Sequence, residues 1–422
     1  MKLTRLLSIR LPLGLALGLA AASASRAAEE PPDLAVGDPV RRDRHVAVTL
    51  DAIVDTRTGD VLSPDELASR LGKIRLLLVG EGHTSIESHR VEHRILEALV
   101  SAGRPVRIGL EMYPYTEQAW LDRWSKGQLT EDGFLALSRW YRNWGYNWGY
   151  YRDIFLFARD RGLPIAGVNT PRDVVSAVRK KGFTNLTPEE AAHVPVHVDT
   201  DSAEHRKLFK AFFDADAGLH GGLTEEALDG MFRAQCTWDA TMAFNAANAL
   251  KAAPPAAVLV VLAGSGHVVY GLGIQRQAAA FFDGPVASLI PIEVPGEKGE
   301  AVSVRASFAD YIWGVPREAA PLYPALGLST REGREGEPLA VIDVEKDSVA
   351  AAAGVGTGDL LLALDGIPVP DKEALATLLA AKRWGDRVTL DVRRGGQPVT
   401  LTARLRRAPP APSRAPSTST SR

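Results

Sequence analysis

Apolar positions in this chain gather into short unbroken runs, and between the runs they recur every three or four residues. Ile74 to Val79 is such a run, interrupted only by Arg75. Val106 to Leu110, Leu163 to Val168 and Ala257 to Leu262 are three more. Each has strand length and too little alternation for a half-exposed strand, so both of its faces are expected to be covered. After the first run, Val91, Ile95 and Leu99 recur at the spacing of a buried helical stripe. Strand runs that alternate with helical patterns predict an α/β domain: a mostly parallel sheet with helices on both faces.

The residues that end these runs carry the chemistry. The first run ends in Gly80-Glu81-Gly82-His83, and Thr84 with Glu87 three residues on reads as a capping box for the next helix. The second run ends in Glu111, the third in Asn169-Thr170-Pro171, and the fourth in Gly264-Ser265-Gly266-His267. Parallel strands bring their carboxyl ends to one edge, where ligands of open α/β sheets collect, so Glu81, His83, Glu111, Asn169 and His267 are expected to converge. Three chemistries suit that set. The first is a divalent metal on His83 and His267, with Glu81 or Glu111 supplying oxygen. The second is metal-free acid–base hydrolysis by Glu81, His83, Glu111 and His267. The third is ligand binding without turnover. His89-Arg90-Val91-Glu92-His93 also has the H-x-x-E-H spacing of inverted zinc peptidases, but it directly follows a sheet strand. His89 is therefore expected to face the cleft of His83, with Glu92 and His93 partly solvated.

The rest of the chain frames this edge. Lys2, Arg5 and Arg10, an apolar run from Leu11 to Ala22 and small residues up to Ala27 read as a Sec signal peptide over 1–27, which predicts a periplasmic or secreted protein. No Cys lies near the cleavage site, so no lipobox is expected. Removing 1–27 takes away four cations and no acid and moves the formal charge from −2 to about −6, which argues against a nucleic-acid partner. Cys236 is the sole cysteine and is expected to be a buried apolar residue. Ser63, Pro64 and Glu66 predict a short capped helix ahead of the first run. The α/β domain is expected over 46–295, with a polar helical insertion over about 184–230 whose His193, His197, His205 and His220 read as solvated or capping residues. Pro316, Pro321 and Pro324 suggest a linker over 296–324, and the Ala, Pro, Ser, Thr and Arg of 408–422 predict a disordered tail.

Residues 325–407 have a different rhythm: short strands, two helices and a hairpin around Gly395-Gly396. Leu326-Gly327-Leu328, Ser348 to Gly354 and Gly358 to Gly366 together resemble a PDZ domain, a small β-rich α+β fold. The resemblance implies that a peptide or protein C-terminus adds as a strand, its carboxylate held near Leu326, Gly327 and Leu328.

Trp140 to Tyr151, WYRNWGYNWGYY, holds seven of the 29 aromatic residues within 12 positions, either flooring a pocket or forming a corner of the core. Residues from about Ala52 to Pro291 resemble the ChaN family of haem-binding uptake proteins, in the wider Tiki and erythromycin-esterase-like superfamily. The matching pieces are Leu78 to His83 with His89, Gly109 to Met112, Trp148 to Tyr151, Ile165 to Arg172 and Gly264 to His267. That resemblance implies haem as cofactor, a tyrosine axial ligand with Tyr113, Tyr150 and Tyr151 as candidates, and a homodimer. Cationic partners such as Arg152 or Arg172 would meet the propionates. The wider superfamily implies Glu and His residues serving hydrolysis, in some members with a divalent metal.

Overall fold

The computed structural model describes residues 33–215, 224–295, 300–318, 320–333 and 336–407. The expected leader over 1–27, His220 and the expected tail over 408–422 lie outside them. The described chain divides into two compact units, with the division between Tyr323 and Pro324.

The strands of the first unit are β1 (His45–Thr49), β2 (Ile53–Asp55), β3 (Val61–Leu62), β4 (Leu76–Glu81), β5 (Val106–Pro114), β6 (Ile165–Asn169), β7 (Val258–Gly264), β8 (Val286–Val294), β9 (Ala301–Arg305) and β10 (Tyr311–Pro316). Eight of them form one sheet in the order β3-β2-β10-β8-β4-β7-β5-β6. From β10 to β6 every pairing is parallel. β2 and β3 add an antiparallel edge, and β1 with β9 makes a separate ribbon.

The apolar runs explain the layers. In β4, Leu77 and Val79 pack into one core with Val91, Ile95 and Leu99 of the helix Ile86–Ser101. Leu76 and Leu78 point the other way, into a second core with Met242, Ala243 and Ala246 of the helix Glu225–Lys251. β7 alternates in the same way between the two cores. A strand buried on both faces must be apolar at every position, which is why these runs show no alternation.

Local signals succeed where the partner is local. Ser63 accepts from Glu66 N, and the Glu66 carboxylate returns to Ser63 N, so the helix Pro64–Arg70 carries the expected capping box. The cap of the helix Ile86–Ser101 differs from the expected Thr84/Glu87 box. Ser85 is the cap and accepts from Ser88 N, while its own hydroxyl and the Glu87 amide both donate to Glu318. A partner more than two hundred residues away leaves no trace in the local pattern.

Two boundaries need correction. The stretch read as a linker over 296–324 contains β9 and β10, and β10 lies beside β8 inside the main sheet. Its apolar run Tyr311-Ile312-Trp313-Gly314-Val315 is buried and belongs to the α/β domain. The region read as an insertion is partly integral as well: the helix Ala203–Ala215 sends His205 into the interior, and residues from Glu225 on begin the long helix that covers one face of the sheet.

In the second unit, β11 (Leu328–Arg331), β12 (Leu339–Val344), β13 (Leu360–Leu364), β14 (Ile367–Pro368), β15 (Arg387–Arg394) and β16 (Gln397–Arg404) form an antiparallel sheet in the order β11-β12-β13-β15-β16, with β14 beside β13. Helices Val349–Ala353 and Lys372–Ala380 complete a β-rich PDZ fold. Its core joins Leu326, Leu339, Val341, Leu361, Leu375 and Leu390.

Candidate functional site

Parallel register aligns the strand ends. Glu81 pairs with Gly264 across β4 and β7, and Leu110, just before Glu111, pairs with Leu262 across β5 and β7. Glu81, His83, Glu111 and His267 therefore share the carboxyl edge, together with Asn169, whose side-chain amide donates to the Glu111 carbonyl at 2.9 Å.

Two imidazoles there are each held from behind by a carboxylate. His83 Nδ1 lies 2.7 Å from Glu81 Oε1, and His267 Nδ1 lies 2.5 Å from Asp239 Oδ1. Fixing Nδ1–H on a carboxylate leaves Nε2 as the outward atom. His267 Nε2 is 3.4 Å from Glu111 Oε1, and Gly264 N donates to Glu111 Oε2 at 2.6 Å. A Cβ built on Gly264 would sit 2.7 Å from His83 Cε1, 3.1 Å from His83 Nε2 and 3.6 Å from Glu111 Oε2. His83 and Glu111 thus flank a cradle that only glycine leaves open.

Electrostatics follow from this packing. Burial works against charging His267, but Glu111 and Asp239 outweigh it and lift the imidazole to about 10. Burial works against ionising Glu111, and His267 with the Gly264 amide holds it down to about 2. His83 is raised because its bond to Glu81 overcomes burial, whereas Glu81 itself is raised by burial and by the neighbouring Glu92.

Glu81 was expected beside His83 and His267 as a metal ligand. The structure puts it behind His83 instead, with Oε1 2.7 Å from Nδ1, and Glu111 is the carboxylate 3.4 Å from His267 Nε2. Sequence reasoning missed Asp239. It stands fully buried among Cys236, Ala240 and Ala243 on a helix face made otherwise of small apolar residues, and an isolated acid in such a stripe was the available signal. His205 was also missed, as a buried residue with Nε2 at 3.6 Å from Asp239 Oδ2. Cys236 is buried as expected, and burial pushes its thiol up. His193 is a partner of the Tyr115 hydroxyl.

The aromatic run is both core and wall. Trp140, Trp148 and Tyr151 pack with Trp124, Phe134 and Phe155 inside the first core. Trp144 and Tyr146 come to the edge, their ring centroids 4.8 and 5.1 Å from that of His83. The three tyrosines expected as haem ligands stand elsewhere. Tyr113 shares a 2.6 Å hydrogen bond with Ser138, Tyr150 accepts from Tyr323 N, and Tyr151 donates to Glu81 Oε1 at 3.0 Å. All three are buried, and burial drives their phenols up, to about 12 for Tyr150. None offers a phenolate to the cleft, because each is buried with its hydroxyl engaged by a neighbour, Ser138 for Tyr113, Tyr323 N for Tyr150 and Glu81 for Tyr151. Arg152 is held by Glu131, while Arg172 is exposed and donates to the Asn143 carbonyl beside the aromatic wall.

Nor are Glu92 and His93 alike. His93 is half-buried, but Glu92 is fully buried against His89, whose Nδ1 lies 2.8 Å from Glu92 Oε2 and 3.0 Å from Glu81 Oε2. A long helix pressed onto a sheet hides an acid that flanking polar residues make look solvated.

In the second unit, Leu326 is a core residue and its carbonyl accepts from Ala350 N. Gly327 has φ +68°, and Leu328 opens β11 at the sheet edge, where a further strand can add.

The chain thus combines an open, mostly parallel α/β sheet that carries a Glu/His carboxyl edge with a PDZ fold. Residues 67–277 match the family described as haem-binding uptake, Tiki superfamily, ChaN, and residues 324–405 match the PDZ domain family. The chain belongs to the ChaN haem-binding uptake family and carries a C-terminal PDZ domain. Among solved structures it is similar to ChaN of Campylobacter jejuni, described with cofacial haem binding, at 21% identity over 62% of this chain and 95% of that one, with a TM-score of 0.49. It is also similar to the HtrA-type protease AlgW with a decapeptide, at 27% identity over 21% of this chain and 30% of that one, TM-score 0.20. An aminopeptidase N family protein from Idiomarina loihiensis matches at 24% identity over 22% of this chain and 15% of that one, TM-score 0.19. No curated protein matches the chain.

Proposed function

We propose that this protein binds haem in the cleft at the carboxyl edge of its sheet, with His83 as the iron ligand. The observation that carries the reading is membership of a haem-binding family across the whole stretch that builds the edge. His83 fits the role because Glu81 fixes its Nδ1 and leaves Nε2 outward, and because the imidazole is a quarter to a third exposed while the candidate tyrosines are sealed in. Trp144 and Tyr146 supply apolar ring surface beside it, and Arg172 is the cation placed to meet a propionate. Bound haem supplies the iron centre; the protein supplies a nitrogen ligand of fixed tautomer and a partly water-excluding wall.

Hemin added to the full chain is expected to give a Soret band shifted from that of free hemin. His83→Ala is expected to weaken binding by about tenfold or more, while Tyr150→Phe leaves it intact. A free-hemin spectrum throughout overturns the reading. Export through the 1–27 leader, a role in iron uptake, a homodimeric assembly and capture of peptide C-termini by β11 complete the proposal. Fractionation, sedimentation and titration with C-terminal peptides test these parts separately.

One observation favours a second reading. Two carboxylate-backed imidazoles that converge on Glu111 are also the donor set of a divalent metal in hydrolysis, with Glu81 and Asp239 as the groups that orient the ligands. Turnover of an ester or peptide that is lost in His267→Ala would support it, and no turnover with any divalent ion would reject it.

A further inference from the structure

We propose that Glu81, His89 and Glu92 form a buried divalent-cation site beneath the sheet edge, separate from the His83–Glu111–His267 cradle. One ligand atom from each of the three lies within 4.8 Å of the others, and all three residues are more than nine-tenths buried. His89 Nε2 is 3.4 Å from the His83 carbonyl, which can only accept, so Nε2 carries a hydrogen. In a neutral ring Nδ1 is then a lone pair. It faces carboxylate oxygens of Glu92 and Glu81 at 2.8 and 3.0 Å, an arrangement that needs a proton or a cation between them.

Among the described residues, the ion-pair partners of Glu81 and Glu92 are imidazoles and never Lys or Arg. Glu81 Oε2 and Glu92 Oε1 are buried without a hydrogen-bond donor. Two carboxylates so desolvated must be neutralised, by protons or by a cation. The spacings suit a metal: donors about 2.1 Å from an octahedral ion stand about 3.0 Å apart along an edge.

The outer contacts of the ligands are in place too. Glu81 Oε1 is held by His83 Nδ1 and the Tyr151 hydroxyl, and His89 is oriented by the His83 carbonyl. One nitrogen and two carboxylates select a first-row ion such as Mn2+, Fe2+ or Zn2+ over Ca2+. Such an ion ties the end of β4 to the first turns of the helix Ile86–Ser101 and sets the carboxylate that orients His83.

The test is metal analysis of the full chain after incubation with Mn2+, Zn2+ or anaerobic Fe2+ and dialysis, with thermal melts in the presence and absence of EDTA. About one equivalent is expected in the wild type and in the double variant Glu111→Gln, His267→Ala, with a melting temperature that EDTA lowers. Glu92→Gln is expected to drop the content about tenfold or more and to abolish the EDTA response. Anomalous diffraction from the wild type, which needs no variant, is expected to place the ion against His89 Nδ1 and Glu92. Absence of metal under all three loadings overturns the proposal and assigns the charge to protons. So does metal that survives Glu92→Gln or vanishes in the edge variant. Hemin titration is read independently, so loss of one site does not decide the other.

Discussion

His267 and Glu111 are the pair whose environment does most to set charge at the edge. His267 is lifted to about 10 from 6.5, so its contribution to stability is complete below 6.5 and is lost as pH rises through about 10. Glu111 is held to about 2 from 4.5, so its contribution is complete above 4.5 and is lost as pH falls through about 2. The stability gap between wild type and Glu111→Gln is therefore expected to be flat between 4.5 and 6.5 and to close toward either extreme, a pattern that denaturant melts across pH will check. Asp239→Asn is expected to lower the His267 titration seen by NMR, and an unchanged titration would show that Asp239 is a bystander. Gly264→Ala tests the cradle itself: its methyl would press on His83 Cε1 at 2.7 Å. An overpacking cost of about 1–3 kcal/mol and weaker hemin binding are expected together. Residues of this kind were legible in the sequence only when they ended an apolar run. Glu81, His83, Glu111 and His267 did; Asp239, His205 and Glu92 are buried by partners from other elements, and a residue buried by distant partners has no local signature.

At the scale of elements, the segment after β10 works as a strap across the edge. Glu318 caps the helix that carries His89, accepting from the Ser85 hydroxyl and the Glu87 amide. Tyr323 lies across Gly149, where a Cβ would come within 1.9 Å of its hydroxyl, and stacks edge-on against Tyr150 at 4.9 Å. Gly149→Ala is thus expected to destabilise the first domain by about 1–3 kcal/mol. In a double-mutant cycle with Tyr323→Ala most of that cost should disappear, since the two changes relieve one clash. Additive costs would mean that Tyr323 moves away freely. The strap also explains why the domain boundary was misread. Prolines at 316, 321 and 324 punctuate the chain as a linker does, yet β10 ends at Pro316 on the inner side of that punctuation and completes the parallel sheet.

For the whole molecule, two domain patterns were readable because each depends on short-range rhythm: unbroken apolar runs for the sheet and Gly-punctuated strands for the PDZ fold. What rhythm could not give was which side chains reach the cleft, since three buried tyrosines and one partly exposed imidazole look equally available in a string of letters. The two domains are expected to act on separate ligands. Gly327→Ala places a Cβ 2.4 Å from that of Ser348 at φ +68°, so it should abolish peptide binding by the PDZ domain while hemin affinity stays within about twofold. Coupled loss of both would contradict that separation. The most direct measurement is the structure of the full chain with hemin bound. Iron within bonding distance of His83 Nε2, beside Trp144 and Tyr146, is the predicted result; iron held by a tyrosine, or away from the carboxyl edge, would contradict it.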